Sequence, residues 1–378
     1  MPSTFGNALR VTVFGQSHSE AIGCVVEGLP SGFAIDRERL SAFMARRAPG
    51  QGSWSTPRRE ADEPEFVSGI NHDGRTCGAP LAAVIRNTNT RSRDYDNLLS
   101  VPRPGHADFT AWEKWHGNQD VPGGGHFSGR LTAPLCVAGG IAIQMLETRG
   151  VRVRAHLLRV AGVEDEPFRA GLRTDAQLLS QQIDALEERD GLPTIDPDAG
   201  ERMLDAIDAA RRDLDSVGGV VECVACGLPA GVGSPMFDGI ENLVARAAFG
   251  IPAVKGIEFG SGFAAADVRG SENNDPFDAT PDGPAPRTNN AGGILGGITT
   301  GAPILFRMAV KPTSSISRPQ DSVNLATGKP EVLEVHGRHD PCIAPRAVPV
   351  AEAVCALSLL DAWLSFPPEG EQFTLGTN

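Results

Sequence analysis

The sequence predicts an α+β fold assembled from a duplicated β-α-β unit, and three repeated words predict it. Gly23-Cys-Val-Val-Glu-Gly-Leu-Pro-Ser-Gly32 returns in diverged form as Gly219-Val-Val-Glu-Cys-Val-Ala-Cys-Gly-Leu-Pro-Ala-Gly231, each an apolar run ending in a Gly-Leu-Pro-x-Gly turn. Ala45-Arg46-Arg47-Ala48-Pro49-Gly50 aligns with Ala245-Arg246-Ala247-Ala248-Phe249-Gly250, and Gly78-Ala-Pro-Leu81 with Gly301-Ala-Pro-Ile304. The first two pairs stand roughly 200 residues apart, and all three keep the same order, as a tandem unit does. The repeats cover roughly 10–90 and 215–312 of one domain spanning 1–378, related by a pseudo-twofold, with a site expected where the halves meet.

The elements follow in order. Arg10 to Phe14 and Ile22 to Val26 are rich in β-branched residues and read as strands. Ser128 to Arg149 reads as a buried helix whose Gly139-Gly140 pair lowers helix propensity but allows close packing. Thr174 to Arg189 and Asp198 to Leu214 read as surface helices, the second with Met203, Leu204, Ile207 and Leu214 on one face. Gly270 to Asn290, rich in acids and prolines, reads as a long exposed loop and a candidate lid. Arg346 to Phe366 reads as a long apolar helix with Pro349 in its first turn.

The chain of 378 residues carries a net charge of -13, which argues against a nucleic-acid partner, since that partner needs a basic surface. Ten arginines nevertheless fall between residues 46 and 130, a local basic zone suited to a small anionic ligand. Seven cysteines without regular spacing fit a reducing cytoplasm rather than a disulfide framework. The single CxxC, Cys223 and Cys226, sits in a strand-like run without a second pair or a spaced His, so no metal site is expected. Met1 to Arg10 lacks a signal-peptide pattern, and Ala133 to Leu146 is shorter than a membrane span, so a soluble protein without a membrane partner is expected.

Four segments carry candidate chemistry. Gly15-Gln16-Ser17-His18-Ser19 presents an imidazole from a polar turn, and Arg103-Pro104-Gly105-His106-Ala107-Asp108 places His106 near a helix start, where an anion is favoured and a leaving phosphate could be protonated. Gly123-Gly124-Gly125-His126-Phe127-Ser128-Gly129-Arg130 lets the backbone approach a ligand but matches neither the dinucleotide nor the P-loop motif. Asn290 to Gly297 leads to Lys311-Pro312-Thr313-Ser314-Ser315, a cation and three hydroxyls, and then to Gly337-Arg338-His339-Asp340-Pro341-Cys342. From chemistry alone, His18, His106, Arg47, Arg130, Lys311, Arg338 and Asp340 form a cation-rich site for a phosphorylated small molecule, in an enzyme or a non-catalytic binding protein.

These words, with Phe14-Gly-Gln-Ser-His18 and Ala291-Gly-Gly-Ile-Leu-Gly-Gly-Ile298, resemble the chorismate synthase family in order along nearly the whole chain. The resemblance implies a β-α-β sandwich of two antiparallel sheets around internal helices, usually a homotetramer. It implies reduced FMN as cofactor and a redox-neutral 1,4-anti elimination of phosphate from 5-enolpyruvylshikimate 3-phosphate. His106 would protonate the departing phosphate, His18 the reduced flavin near N1, and Asp340 would assist proton transfer at N5. Arg47, Arg130, Ser17 and Arg46 form the implied substrate set. His126, Phe127, Ser128, Pro252, Ala253, Gly296, Lys311, Pro312, Thr313, Ser314, Ser315 and Arg338 form the implied FMN set. His126-Phe127 stand where many members carry Arg-Ser, Pro252 where Asn is common, and Ser53 where Arg is frequent, departures that bear on the FMN contacts and on any NADP site. No reductase domain is visible, so an external flavin reductase is expected.

Overall fold

The computed structural model describes residues 3–50, 52, 54–55, 62–88, 98–335 and 339–376. Strands β1 (Thr4–Phe5), β2 (Arg10–Gly15), β3 (Ala21–Glu27), β4 (Glu65–Ser68) and β5 (Leu81–Arg86) form one antiparallel sheet in the order β1-β2-β3-β5-β4. Strands β6 (Arg152–Val160), β7 (Val163–Glu164), β8 (Gly219–Cys226), β10 (Val254–Phe259) and β15 (Ile304–Val310) form a second, ordered β10-β15-β8-β6-β7. Smaller sheets join β9 (Ala230–Gly233) to β13 (Ile294–Leu295) and β14 (Ile298–Thr300), pair β11 (Phe277–Thr280) with β12 (Gly283–Pro286), and pair β16 (Gln320–Asn324) with β17 (Lys329–Leu333). Helices are α1 (Arg37–Arg47), α2 (Asp108–Trp115), α3 (Thr132–Glu147), α4 (Ala176–Glu187), α5 (Pro197–Arg212), α6 (Ile240–Ala248), α7 (Gly270–Asn273) and α8 (Ala344–Ser365).

The two large sheets turn apolar faces toward each other, and helices fill the space between. In β3, Ile22, Cys24 and Val26 point inward at period two, and Leu81, Ala83 and Ile85 of β5 do the same. Helix α3 lies against this sheet, α8 against β6 and β8, and the two helices pack on each other. Such helices meet apolar surface on every side, which is why both are apolar all round rather than amphipathic. Gly129–Glu147, which contains α3, and α8 are long and apolar enough to cross a membrane, but 89% and 94% of their apolar windows are buried inside the protein. Gly139 sets the α3–α8 distance, because a Cβ there would sit 2.3 Å from the Ala353 Cβ; one at Gly140 would lie 2.6 Å from Leu40 Cδ1 of α1.

Several expectations shift. The helix expected over 198–214 is α5, begun by Asp196, whose carboxylate accepts from the Asp198 and Ala199 amides at 2.9 and 3.2 Å. Leu214 has left the helix at φ 59° and stands exposed. Helix α8 starts at Ala344 with Pro345 in its first turn, so Pro349 falls inside the helix rather than in its first turn. The 270–290 segment is neither a loop throughout nor a lid over the cleft described below. Asp275 accepts from the Asn290 and Ala291 amides, Asp278 is held by Arg173 and Arg287, and the β11–β12 hairpin forms between them. None of its residues lines the cleft. Strand β6 has no counterpart in the sequence-based expectation. On its outer face the fully buried His156 ring sits 2.9 Å from Asp165 Oδ2 and 3.0 Å from Glu222 Oε2. Burial alone would push that imidazole down, but the two carboxylates more than offset it and raise its pKa.

Gly139→Ala, a change that in an exposed helix would stabilise by about 1 kcal/mol, is expected to destabilise this protein by about 1–3 kcal/mol through overpacking. Equilibrium denaturation checks the sign, and an unchanged or raised midpoint would contradict the packing account.

Candidate active site

A cleft of about 690 Å³ opens where the end of α1, the 103–107 turn, the 123–130 loop and the 249–255, 311–315 and 339–350 segments converge. That is within the range of about 300–1,000 Å³ usual for small-molecule sites. Thr132 in the first turn of α3 and Arg346 and Ala347 in the first turn of α8 both line it. Two long buried helices therefore begin at the cleft, and their N-terminal dipole ends favour an anion there.

His106 is fixed by its own motif. Its Nδ1 lies 2.6 Å from Asp108 Oδ1, so Nδ1–H donates to the carboxylate and Nε2 is left to face the cleft. Asp108 also accepts from Arg103 Nε at 2.7 Å and Nη2 at 2.8 Å, and Arg103 Nη1 donates to Ser315 Oγ at 3.0 Å. Burial would push the Asp108 carboxyl up, but the hydrogen bonds from Arg103 and His106 hold it well below the usual carboxylate range. Burial lowers the His106 pKa; the Asp108 hydrogen bond opposes this, while the charges of Arg103 and Lys311 push it further down.

The three glycines are needed in this site. Gly123, Gly124 and Gly125 have φ of 64°, 83° and 54°, the left-handed region that side chains rarely adopt. A Cβ on Gly123 would meet Ser17 Oγ at 2.5 Å and His18 Nε2 at 2.8 Å, and one on Gly124 would lie 3.3 Å from His106 Nε2. The loop thus brings bare backbone against both histidines. It is tied to the end of β2 by the Ser17 N–H, which donates to Gly125 O at 3.0 Å, and by His126 Nδ1–H, which donates to Gly15 O at 2.7 Å. His126 Nε2 also accepts from Ser3 Oγ at 2.7 Å, so the ring at this departure from the family pattern braces the loop. Its neighbour Phe127 lines the cleft, with its ring 5.8 Å from that of Trp115.

Cations dominate the rest of the wall. Arg47 and Arg130 are buried and share the carboxylate of Asp62. Asp340 Oδ2 accepts from Arg346 Nη1 at 2.6 Å. Lys311 Nζ donates to Ser314 Oγ at 2.6 Å, and both burial and the neighbouring Lys255 lower its pKa. Pro252 and Ala253 line the same wall, Ala253 at φ 74°, and its carbonyl accepts from the Lys311 amide at 3.0 Å. Thr313 Oγ1 lines the cleft region buried and without a hydrogen-bond partner among the described residues, a donor and acceptor that a bound polar ligand would satisfy.

The structure therefore gathers Ser17, Arg47, His106, Arg130, Asp340, His126 to Ser128, Pro252, Ala253 and Lys311 to Ser315 around one cleft. His18 is half-buried against Gly123, just off the cleft wall. Arg46 does not reach the cleft. It points from α1 into the protein and holds Glu352 of α8 through two hydrogen bonds of 2.6 and 2.7 Å. Gly296, in the β13–β14 turn, does not line the cleft either. Arg338 and Ser53 lie outside the described residues. Sequence reasoning did not assign Asp62, Arg103, Asp108, Lys255 or Arg346. Arg103 and Asp108 stood in the His106 motif, where their spacing around Pro104-Gly105 was the available signal.

The family model described as chorismate synthase matches residues 9–364. The chain belongs to the chorismate synthase family. It is 50% identical over 373 residues to the chorismate synthase of Lancefieldella parvula, covering 98% of each chain. It is 45% identical to that of Methanocella arvoryzae, covering 96% of this chain and 94% of the relative. A solved structure described as the crystal structure of chorismate synthase superposes with a TM-score of 0.71 at 25% identity, covering 96% of this chain and 95% of the other. Chorismate synthases are lyases of the shikimate pathway to the aromatic amino acids and generally use reduced flavin; a merely binding role is not favoured.

The His106 environment gives a titration with a defined sign. In the ligand-free protein its NMR midpoint is expected below the ordinary 6.5, and lower still in Asp108→Asn, which keeps an acceptor but removes the negative charge that raises it. A midpoint above the ordinary value, or a rise in the variant, would contradict this geometry.

Proposed function

We propose that this chain converts 5-enolpyruvylshikimate 3-phosphate to chorismate and inorganic phosphate by 1,4-anti elimination, with reduced FMN bound in the cleft. The observation that carries the reading is His106, oriented by Asp108 and turned toward a glycine loop in a cleft walled by guanidinium groups. Elimination sends a ring proton one way and a phosphate the other, and the departing phosphate needs a proton donor. Burial, with the charges of Arg103 and Lys311, lowers the His106 pKa while the cleft is without anions. A bound phosphate reverses that local charge, raises the imidazole pKa and brings the proton to Nε2 when it is needed. Arg47 and Arg130 hold the anionic groups of the substrate, and Ser17 adds a hydroxyl beside the glycine loop.

The residues fit FMN. Lys311, Thr313, Ser314 and Ser315 offer a cation and hydroxyls of the kind that bind a phosphate, Thr313 Oγ1 is already buried and unsatisfied, and His126 to Ser128, Pro252 and Ala253 complete the proposed contacts. Arg338 is kept in the set, whereas Gly296 is left out because it does not line the cleft. Reduced flavin supplies transient electron density to the reacting ring, so that turnover is redox-neutral. His18 and Asp340 are the proposed proton carriers, His18 on its ring and Asp340 on a carboxylate steadied by Arg346.

Coarser features fit the same reading. We take residues 1–378 as one domain with a duplicated unit at 10–90 and 215–312. In support, β3 and β8 each hold the middle of a five-stranded sheet, each has an antiparallel partner, β5 or β15, that follows a Gly-Ala-Pro turn, and α1 and α6 follow in equivalent places. A homotetramer is the proposed assembly, supported by large exposed apolar side chains such as Phe237 and Phe263. A cytoplasmic setting, with the flavin reduced by a separate NADPH-dependent reductase, completes the proposal.

Anaerobic assay with chemically reduced FMN tests it. Phosphate and chorismate are expected to appear only with reduced flavin, and His106→Ala is expected to lower turnover by about 10²-fold or more. Phosphate release without flavin, or normal turnover in the variant, would overturn the reading.

A further inference from the structure

The reading of the cleft as a receptor for a polyanion, on which this inference rests, leaves one buried carboxylate in an unfavourable place. Asp62 is bonded to Arg47 and Arg130 of the cleft wall, and a negative charge beside them opposes binding of an anion. Its side chain is fully buried, and its backbone takes φ 51°, the left-handed region that an aspartate tolerates but few residues choose. Its two oxygens are divided between two cations: Oδ2 accepts from Arg47 Nη1 at 2.5 Å and Oδ1 from Arg130 Nη1. Neutral oxygens among the described residues also accept from these guanidiniums. Arg47 donates to Thr132 Oγ1 and Gly129 O, both at 3.1 Å, and Arg130 Nε donates to Asn87 Oδ1 at 3.1 Å. Arg346 adds a third guanidinium whose charge, like that of Arg130, bears on Arg47.

Three guanidiniums in one buried wall repel one another, and neutral acceptors alone would not hold two of them at a fixed separation. We propose that Asp62 is a positioning residue for substrate binding: it locks Arg47 and Arg130 into one rigid unit, and an anionic group of the substrate docks on that unit. The geometry is obtained at the expense of one unit of positive charge in the cleft. This gives the role a sign that a purely electrostatic part would not have. Asp62→Asn keeps the size and one acceptor but removes the charge. If Asp62 only trimmed the charge of the wall, the variant would bind the anion more tightly.

The test measures binding of 5-enolpyruvylshikimate 3-phosphate and of FMN by calorimetry, and KM and kcat with reduced FMN, for the full-length wild type, Asp62→Asn and Asp62→Glu. Thermal melts check that the variants fold. For Asp62→Asn, substrate Kd and KM are expected to rise about tenfold or more, the scale of one charge-assisted hydrogen bond, with FMN affinity changed far less. Asp62→Glu, which restores the charge but shifts the carboxylate by one methylene, is expected to raise KM as well. Substrate binding in Asp62→Asn that equals or exceeds wild type overturns the proposal, as does wild-type KM in Asp62→Glu alongside an affected Asn variant, since charge alone would then suffice. Failure of both variants to fold would assign Asp62 to the fold and overturn it too. A wild-type protein that binds no substrate would instead overturn the reading of the cleft, and the proposal with it.

Discussion

Burying a guanidinium is costly unless a carboxylate or a well-made set of acceptors meets it, and the site is organised around that constraint. Arg47 and Arg130 share Asp62, Arg103 is joined to Asp108, and Arg346 to Asp340. The partners come from separate places in the chain: the end of α1, the segment before β4, the turn before α3, the turn before α2 and the start of α8. The Asp62 pairs tie together the end of α1, the segment before β4 and the turn before α3, whereas the other two pairs are local and fix the turn before α2 and the start of α8. The result is a wall of positive charge that is already oriented before an anion arrives, which is the form of electrostatic preorganisation that favours charge development during reaction.

The core serves the same end. Because Gly139 lets α3 approach α8 so closely, the first turns of both helices are held together at the cleft, with the two sheets fixing their direction from either side. A site on rigid helix ends holds its geometry better than one on loops alone. Of the segments that must be loops, 103–107 is held by Pro104 and by the Arg103–Asp108 and His106–Asp108 bonds, and 123–130 by hydrogen bonds to the end of β2.

Much of this was legible in the sequence where local chemistry decides the structure. The β-branched runs gave β2 and β3, the apolar stretches gave α3 and α8, and the glycine triplet and the His106 motif pointed to the cleft. What was not legible depended on tertiary direction. Arg46 and Arg47 are adjacent in α1, yet one turns to Glu352 and the other to Asp62, a choice set by about 100° of helix rotation that charge alone does not reveal. Asp62 lies near Glu63 and Glu65, which are exposed, and nothing in the spacing marks it as the buried one. The acid- and proline-rich stretch before Asn290 looked like a free loop because its order comes from Asp275 and Asp278 bonding to backbone and arginines, contacts that composition cannot encode.

The most direct test of the central claim is a crystal structure of the protein with FMN and the substrate in place. The substrate phosphate is expected within hydrogen-bonding distance of His106 Nε2, with another anionic group of the substrate on the Arg47–Arg130 pair. A substrate bound in the cleft with its phosphate remote from His106, or anions seated away from the buried arginines, would contradict the account.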